Sequence, residues 1–180
     1  MSFEPVFRAR PALVRQRYPM SCWAAALESW LSVCAPRCRF DEAWALGAFA
    51  AWQAPDHRMD WKGLAVLAEV FFMSSEEIGP GAATPAFLAG KLRCGHLYVS
   101  YMPTPGPVSA HSVVVYGVGP ASVDVMDPLE GFQSLPHGFF LTRTRVLVCW
   151  PSLGHGTIPD PSTRLHLIAR RMGLAIPGDN

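Results

Sequence analysis

An excess of charge of either sign is absent from this sequence. Its 15 Lys and Arg residues are balanced by 14 Asp and Glu residues, which leaves a formal net charge of +1. So small an imbalance excludes a general electrostatic role on nucleic acid or on an anionic membrane surface. We therefore expect neither nucleic acid nor a membrane among the partners of this chain.

Long apolar runs are missing as well. No run reaches the roughly 18 residues that suggest a membrane-spanning helix, and Met1–Pro5 lacks the apolar core of a secretory signal. We therefore expect a protein that is synthesised in the cytoplasm without a Sec signal.

Cysteines at disulfide or zinc spacing are also scarce. The five cysteines, an odd number at irregular spacing, do not form a disulfide framework. Cys34 and Cys38 are the one close pair in the sequence, and no second close pair of Cys or His residues completes a tetrahedral zinc site. The sequence therefore predicts no metal and no cofactor.

Apolar and aromatic side chains, in contrast, are abundant. Half of the 180 residues are hydrophobic, and 10 Phe, 6 Trp and 4 Tyr are available for a core. A chain of this length can bury most of the surface that its unfolded form exposes. Composition therefore predicts one globular domain, which we expect to be a monomer.

The first half of the chain has the apolar spacing of helices. A helix is predicted to begin at Cys22 after a Ser21 N-cap, because apolar residues recur there about every 3.6 residues. Its apolar face consists of Trp23, Ala26, Leu27, Trp30, Leu31 and Cys34. The predicted caps of further helices are Asp41, Asp60, Thr84 with Pro85, and Ser162.

The second half is predicted to contain most of the strands, at residues 96–102, 111–117, 122–126 and 145–150. Thr104–Pro107 predicts a rigid turn before the second of these strands. Segregation of helices and strands predicts an α+β fold of two lobes, with a helical N-terminal lobe packed on a C-terminal antiparallel sheet.

Cys22 is the candidate nucleophile. A thiol at a helix N-terminus lies beside unpaired backbone N–H groups and the positive end of the helix dipole, both of which favour the thiolate. Cys22 is one residue away from the apolar stripe, where it can face a cleft. Position alone leaves the alternative of a buried, inert cysteine open.

A base for this nucleophile is predicted at His111, the first residue of a β-branched run. Sixteen residues later, Asp127 ends an alternating strand that follows the turn Gly119–Ser122. If the two strands pair as a hairpin, His111 lies near Asp127. The carboxylate can then accept from one ring nitrogen and aim the other at Cys22.

These residues resemble the active-site motifs of the papain-like cysteine peptidases. Gln16, Cys22 with Trp23, His111 and Asp127 stand in the chain order of that family, and Gln16 precedes Cys22 by six positions. The block of residues 18–26 is similar to bacterial members, among them effectors injected by plant pathogens. Residues 111–128 resemble the peptidase domains of bacteriocin exporters. The resemblance implies a papain-like peptidase domain at residues 14–151, an N-terminal arm at 1–13 and a C-terminal extension at 152–180.

The resemblance also implies a role for each matching residue. Cys22 would be the nucleophile, His111 the general base and then acid, and Asp127 the residue that orients His111. Gln16 would donate its side-chain amide to the oxyanion beside the backbone N–H of Cys22, and one such donor is commonly worth about 3 kcal/mol. Met20 and Ser21 stand where papain has a glycine-rich approach to the nucleophile, so subsite preference does not transfer.

The function implied by the resemblance is a cysteine protease that cleaves peptide bonds through a thioester acyl-enzyme. We expect a protein or peptide substrate. Similarity to injected effectors further implies a bacterial toxin or effector domain that a specialised secretion system delivers into a target cell. A cognate immunity or inhibitor protein would then be a partner.

Other functions stay open at this point. A peptidoglycan amidase, a protein deamidase or an acyltransferase would use the same Cys, His and Asp residues. A catalytically inactive module that binds an extended peptide is an alternative from a different class. Such a binder would not require Gln16, Cys22, His111 and Asp127 together.

Overall fold

Helices and strands follow one another along the chain in a computed structural model that describes residues 3–38, 40–102, 110–152 and 161–174. The helices are α1 (Cys22–Cys34), α2 (Glu42–Ala48), α3 (Trp61–Val70), α4 (Pro85–Leu92), α5 (Gly138–Leu141) and α6 (Pro161–Met172), with a 3₁₀ turn at Ala50–Trp52. The strands are β1 (Val6–Phe7), β2 (Met73–Ile78), β3 (Leu97–Tyr101), β4 (His111–Val118), β5 (Ser122–Asp127), β6 (Gly131–Pro136) and β7 (Val146–Pro151).

The described strands form one antiparallel sheet in the order β2-β7-β3-β4-β5-β6, and β1 pairs with the end of β4. The predicted α+β class is therefore confirmed, and the four predicted strands correspond to β3, β4, β5 and β7. The predicted turn at Thr104–Pro107 lies outside the described residues. In the described ranges, no helix is long and apolar enough to cross a membrane.

Three of the predicted helix caps are confirmed by their hydrogen bonds. The side chain of Asp41 accepts from the N–H of Trp44, that of Asp60 from Gly63, and that of Thr84 from Phe87. Each cap satisfies a backbone donor that the first turn of a helix leaves unpaired.

Of the two other predicted caps, Ser21 stands at the N-cap position of α1 without a capping hydrogen bond, and the prediction of Ser162 as a cap is wrong. The helix after Ser21 begins at Cys22, but the Ser21 hydroxyl makes no cap hydrogen bond, because it donates to other acceptors. Helix α6 begins at Pro161, so Ser162 lies inside its first turn.

Helices cover both faces of the sheet. On one face, α1, α2, α3 and α6 pack with Tyr98, Val114 and Met126 around the fully buried Trp30. On the other face, α4 and α5 pack with Val113 and neighbouring strand residues. A strand that is buried on both faces has an almost continuous apolar sequence, which explains the run of valines in β4. The helix α1 is thereby held across the strand that begins with His111.

Candidate active site

Cys22 lies at the junction of α1 with the sheet. It is the first residue of the helix and is 5% exposed. Its Sγ atom is 3.7 Å from the carbonyl oxygen of Ala110, the residue before β4, and its side chain interacts with that of His111 closely enough to raise the pKa of the imidazole. The packing of α1 on β4 therefore brings together the thiol and the imidazole that the sequence analysis selected.

The hairpin of β4 and β5 places His111 beside Asp127, as the sequence analysis predicted. The two strands pair antiparallel, and His111 Nε2 is 2.9 Å from Asp127 Oδ2. The other carboxylate oxygen, Oδ1, accepts from the backbone N–H groups of Leu129 at 2.7 Å and Glu130 at 3.3 Å. Because both carboxylate oxygens are held, Asp127 fixes the orientation of the imidazole ring. Nδ1 is the ring nitrogen left for Cys22.

The electrostatics of the site favour a protonated imidazole. Burial lowers the pKa of His111, but the hydrogen bond to Asp127 and the interactions with Cys22 outweigh it and raise this pKa to about 10. For Asp127, burial raises the pKa, but the bond to His111 outweighs it and the pKa falls below its ordinary value. A cation beside a thiol is the environment that stabilises a thiolate.

Gln16 reaches the same region through its backbone. Its N–H donates to the carbonyl of Pro128 at 3.1 Å, directly after Asp127. Its side-chain Nε2 donates to the carbonyl of Tyr18 at 3.3 Å, and Oε1 is buried with no hydrogen-bond partner among the described residues. The structure therefore ties Gln16 to the Asp127 turn, and the predicted donation to an oxyanion stays a prediction.

The loop between Gln16 and Cys22 contains a residue in a left-handed conformation. Met20 has φ = 60°, in a region where a side chain with a Cβ atom costs about 1–2 kcal/mol. Glycine adopts this conformation without that cost, so Met20 departs from the glycine-rich approach that the resemblance implies. The loop must be held by other contacts to keep Met20 there.

Contacts on either side of Met20 come from Glu42, which the sequence analysis did not single out. Its carboxylate is fully buried and accepts from the N–H of Arg17 and the hydroxyl of Ser21. An acidic residue directly after the cap Asp41 looks like an ordinary partner of the helix dipole. The signal that could have indicated the role of Glu42 is that it is an acidic residue in a helix whose other residues are mostly apolar.

No metal centre is found in the described ranges. No disulfide joins any of the five cysteines, and no group of three or more His, Cys, Asp or Glu side chains in those ranges is placed to hold a metal ion.

Comparison with known proteins finds solved structures that are similar to this chain. No protein-family model matches the sequence, and no curated protein matches it significantly. The peptidase domain of Streptococcus ComA, a bifunctional ABC transporter involved in quorum sensing, superimposes with a TM-score of 0.59 at 15% identity, covering 80% of this chain and 100% of that domain.

Two further solved structures are similar. A double-glycine motif protease from an AMS/PCAT transporter, solved in complex with the leader peptide, has a TM-score of 0.52 at 17% identity and covers 84% of this chain and 100% of that one. A Bacillus anthracis protein described as a C39-like peptidase has a TM-score of 0.56 at 13% identity, with 82% and 98% of the two chains covered. The chain therefore has the papain-like fold of the C39-like peptidase domains.

Proposed function

We propose that this protein is a cysteine peptidase that hydrolyses peptide bonds through a thioester intermediate. The observation that carries the proposal is the grouping of Cys22, His111 and Asp127, in which the imidazole interacts with the Cys22 side chain and hydrogen-bonds to Asp127 at 2.9 Å. Nucleophile, base and orienting carboxylate in such contact are the arrangement that activates a thiol for acyl transfer. The shared fold with peptidase domains supports the same conclusion.

In the proposed reaction, the Cys22 thiolate attacks the carbonyl carbon of the substrate, and a C–S bond forms. The tetrahedral intermediate collapses as His111 gives a proton to the departing amine, which breaks the C–N bond. His111 then takes a proton from water, and the hydroxide attacks the thioester. The C–S bond breaks, the acid product leaves and the thiol side chain is restored.

The oxyanion of each tetrahedral intermediate needs hydrogen-bond donors. We assign this role to the backbone N–H of Cys22 and to the side-chain amide of Gln16. In the free protein the Gln16 amide donates weakly to Tyr18, at 3.3 Å. Rotation of this side chain toward the oxyanion would exchange that bond for a stronger one to a charged acceptor.

For the substrate we propose a peptide or protein segment in an extended conformation. The AMS/PCAT transporter protease was solved with its leader peptide bound, and this chain covers the whole of that structure. This similarity supports a leader peptide with a double-glycine motif as one candidate substrate, cleaved after that motif.

The other candidate substrate is a protein of a foreign cell. It is supported by the similarity of the Cys22 block to injected effectors, and it includes delivery by a specialised secretion system and a neutralising immunity protein. Expression of the active chain in a bacterial cytoplasm tests for toxicity there. Arrested growth with the active chain and normal growth with Cys22→Ala is the expected result, and equal growth of both strains would contradict a toxin that acts in that compartment.

Proteolysis itself is tested by comparing the new protein N-termini in cells that express the active chain or Cys22→Ala. Cys94→Ala is the matched control, because Cys94 is also a free cysteine but is exposed. We expect specific new termini with the active chain and with Cys94→Ala, and none with Cys22→Ala. Termini that follow paired glycines would favour leader cleavage, and equal sets from all three proteins would exclude peptidase activity.

A further inference from the structure

Glu42 lies outside the Cys22, His111 and Asp127 series, yet it contacts the loop that leads to the nucleophile. Its side chain has no exposed surface. Both carboxylate oxygens are 3.0 Å from the backbone nitrogen of Arg17, and Oε1 also accepts from the hydroxyl of Ser21. The Arg17 Nε atom is 3.8 Å from Oε2. Burial of a carboxylate is tolerated when such donors replace water.

The two residues bound by Glu42 lie at the two ends of this loop. Arg17 directly follows Gln16, and Ser21 directly precedes Cys22. One buried carboxylate therefore sets the separation between the proposed oxyanion donor and the nucleophile. Within this span, Met20 has φ = 60°, a conformation that persists only where surrounding contacts enforce it.

Ser21 connects Glu42 to the Gln16 side chain, because its one hydroxyl proton lies between two acceptors. The Ser21 hydroxyl, which contacts Glu42, is also 2.7 Å from the carbonyl oxygen of Tyr18. That carbonyl accepts from Gln16 Nε2. A displacement of Ser21 would therefore move the Tyr18 carbonyl and, with it, the resting position of the Gln16 amide.

We infer that Glu42 is a positioning residue for the oxyanion site. It holds the loop from Gln16 to Cys22, with Met20 in its left-handed conformation, so that the Gln16 side chain and the backbone N–H of Cys22 converge. The inference rests on the proposed peptidase function. It assigns Glu42 no contact with substrate. Its effect is on the step that develops negative charge on the carbonyl oxygen, and the thiol itself should keep its reactivity.

The test compares Glu42→Gln with Asp41→Asn. The Asp41 change removes the neighbouring carboxylate of the same helix but keeps a good cap, because Asn and Asp are similar at this position. For Glu42→Gln we expect kcat on a cleavable peptide to fall about 10–100-fold and KM to change by less than about 3-fold. This loss of kcat is no larger than the loss expected on removal of an oxyanion donor. Asp41→Asn should keep the parent kcat.

Two readouts separate positioning from a general loss of structure. Alkylation of Cys22 by iodoacetamide forms no oxyanion, so its rate in Glu42→Gln should stay within about 3-fold of the parent rate. The kcat loss should also be smaller in a Gln16→Ala background than alone, because residues that act on one donor are not additive. A proportional loss of alkylation and kcat, or additive losses, would overturn the inference.

A third readout does not depend on activity. Backbone amide hydrogen exchange at residues 17–22 should be faster in Glu42→Gln than in the parent and in Asp41→Asn. If the parent cleaves no peptide, the proposed function fails, and the hydrogen exchange still decides whether Glu42 holds the loop.

If Glu42→Gln does not fold, Ser21→Ala removes one of the contacts and is expected to show the same pattern with a smaller kcat loss. Unchanged exchange and kcat in the folded variant would refute the role of Glu42.

Discussion

The backbone N–H of Gln16 donates to the carbonyl oxygen of Pro128 at 3.1 Å. This bond joins the segment that leads to the Cys22 helix to the turn that follows Asp127. The Arg15 guanidinium adds a second link to the same turn, since it donates to the carbonyl of Leu129. Cys22 and the Asp127 carboxylate are therefore connected on one side by these two hydrogen bonds and on the other through His111.

The pH dependence of cleavage should reflect the raised pKa of His111. Because the imidazole gives a proton to the leaving amine and its pKa is raised to about 10, kcat/KM should stay high above neutral pH and fall near pH 10. Asp127→Asn removes the negative charge that favours the cation, so the alkaline limb should move to lower pH. A pH profile of kcat/KM, with NMR titration of His111, measures both.

Asp124→Asn is the control for this titration, because Asp124 lies on the same strand and hydrogen-bonds to Ser134. It should leave the alkaline limb in place. A parent limb near the ordinary histidine pKa of about 6.5 would contradict the prediction.

Gln16→Ala should lower kcat about 100-fold, because removal of one oxyanion donor has an effect of that order. Alkylation of Cys22 should be nearly unchanged, since that reaction has no oxyanion to stabilise. Peptide hydrolysis and alkylation rates on the same preparations provide the measurement. Parent-like hydrolysis by Gln16→Ala would remove Gln16 from the site.

Two glycines in helices should respond to alanine in opposite directions. A Cβ atom at Gly63 in α3 would meet Met59 and lie 2.8 Å from Cβ of Trp52, so Gly63→Ala should destabilise the fold by about 1–3 kcal/mol. At Gly90 in α4 a Cβ would have no atom within 4 Å, and alanine should stabilise by about 0.5–1 kcal/mol. Urea unfolding measures both changes, and a stabilising Gly63→Ala would refute the packing described around α3.

Truncation of Trp30 should be among the most destabilising changes. Its side chain is fully buried, and its Nε1 donates to the carbonyl of His96 at 2.9 Å. Trp30→Ala should therefore lower the free energy of unfolding by about 3–5 kcal/mol. Leu167→Ala is the control, because Leu167 is 58% exposed and should change stability by less than about 0.5 kcal/mol. Similar losses in the two variants would show that the core is not centred on α1.

Features that depend on neighbouring residues could be predicted from the sequence. The caps at Asp41, Asp60 and Thr84 follow from a side chain that reaches a backbone N–H three residues later. The pairing of His111 with Asp127 follows from two strands joined by a short turn. In each case the interacting groups are close in the chain, so the spacing of residues carries the information.

Strands whose sequences lack a periodic apolar pattern could not be predicted. Strand β2 contains Ser74, Ser75, Glu76 and Glu77, and it lies at an edge of the sheet, where one neighbour, β7, supplies its hydrogen bonds. Strand β6 is at the other edge, and its apolar residues Phe132 and Leu135 are separated by two polar residues, so they do not alternate as in a typical strand. Edge strands need little apolar surface, so their positions depend on the pairing partner.

The sequence by itself determined the α+β class and three capped helices, and it selected Gln16, Cys22, His111 and Asp127 as candidate site residues. Only the tertiary structure decided that α1 lies across β4, which brings Cys22 to His111, and that the buried Glu42 carboxylate binds Arg17 and Ser21 in the loop before Cys22. The physical reason is that these contacts join residues far apart in the chain, and the packing of helices on a sheet determines which of them meet.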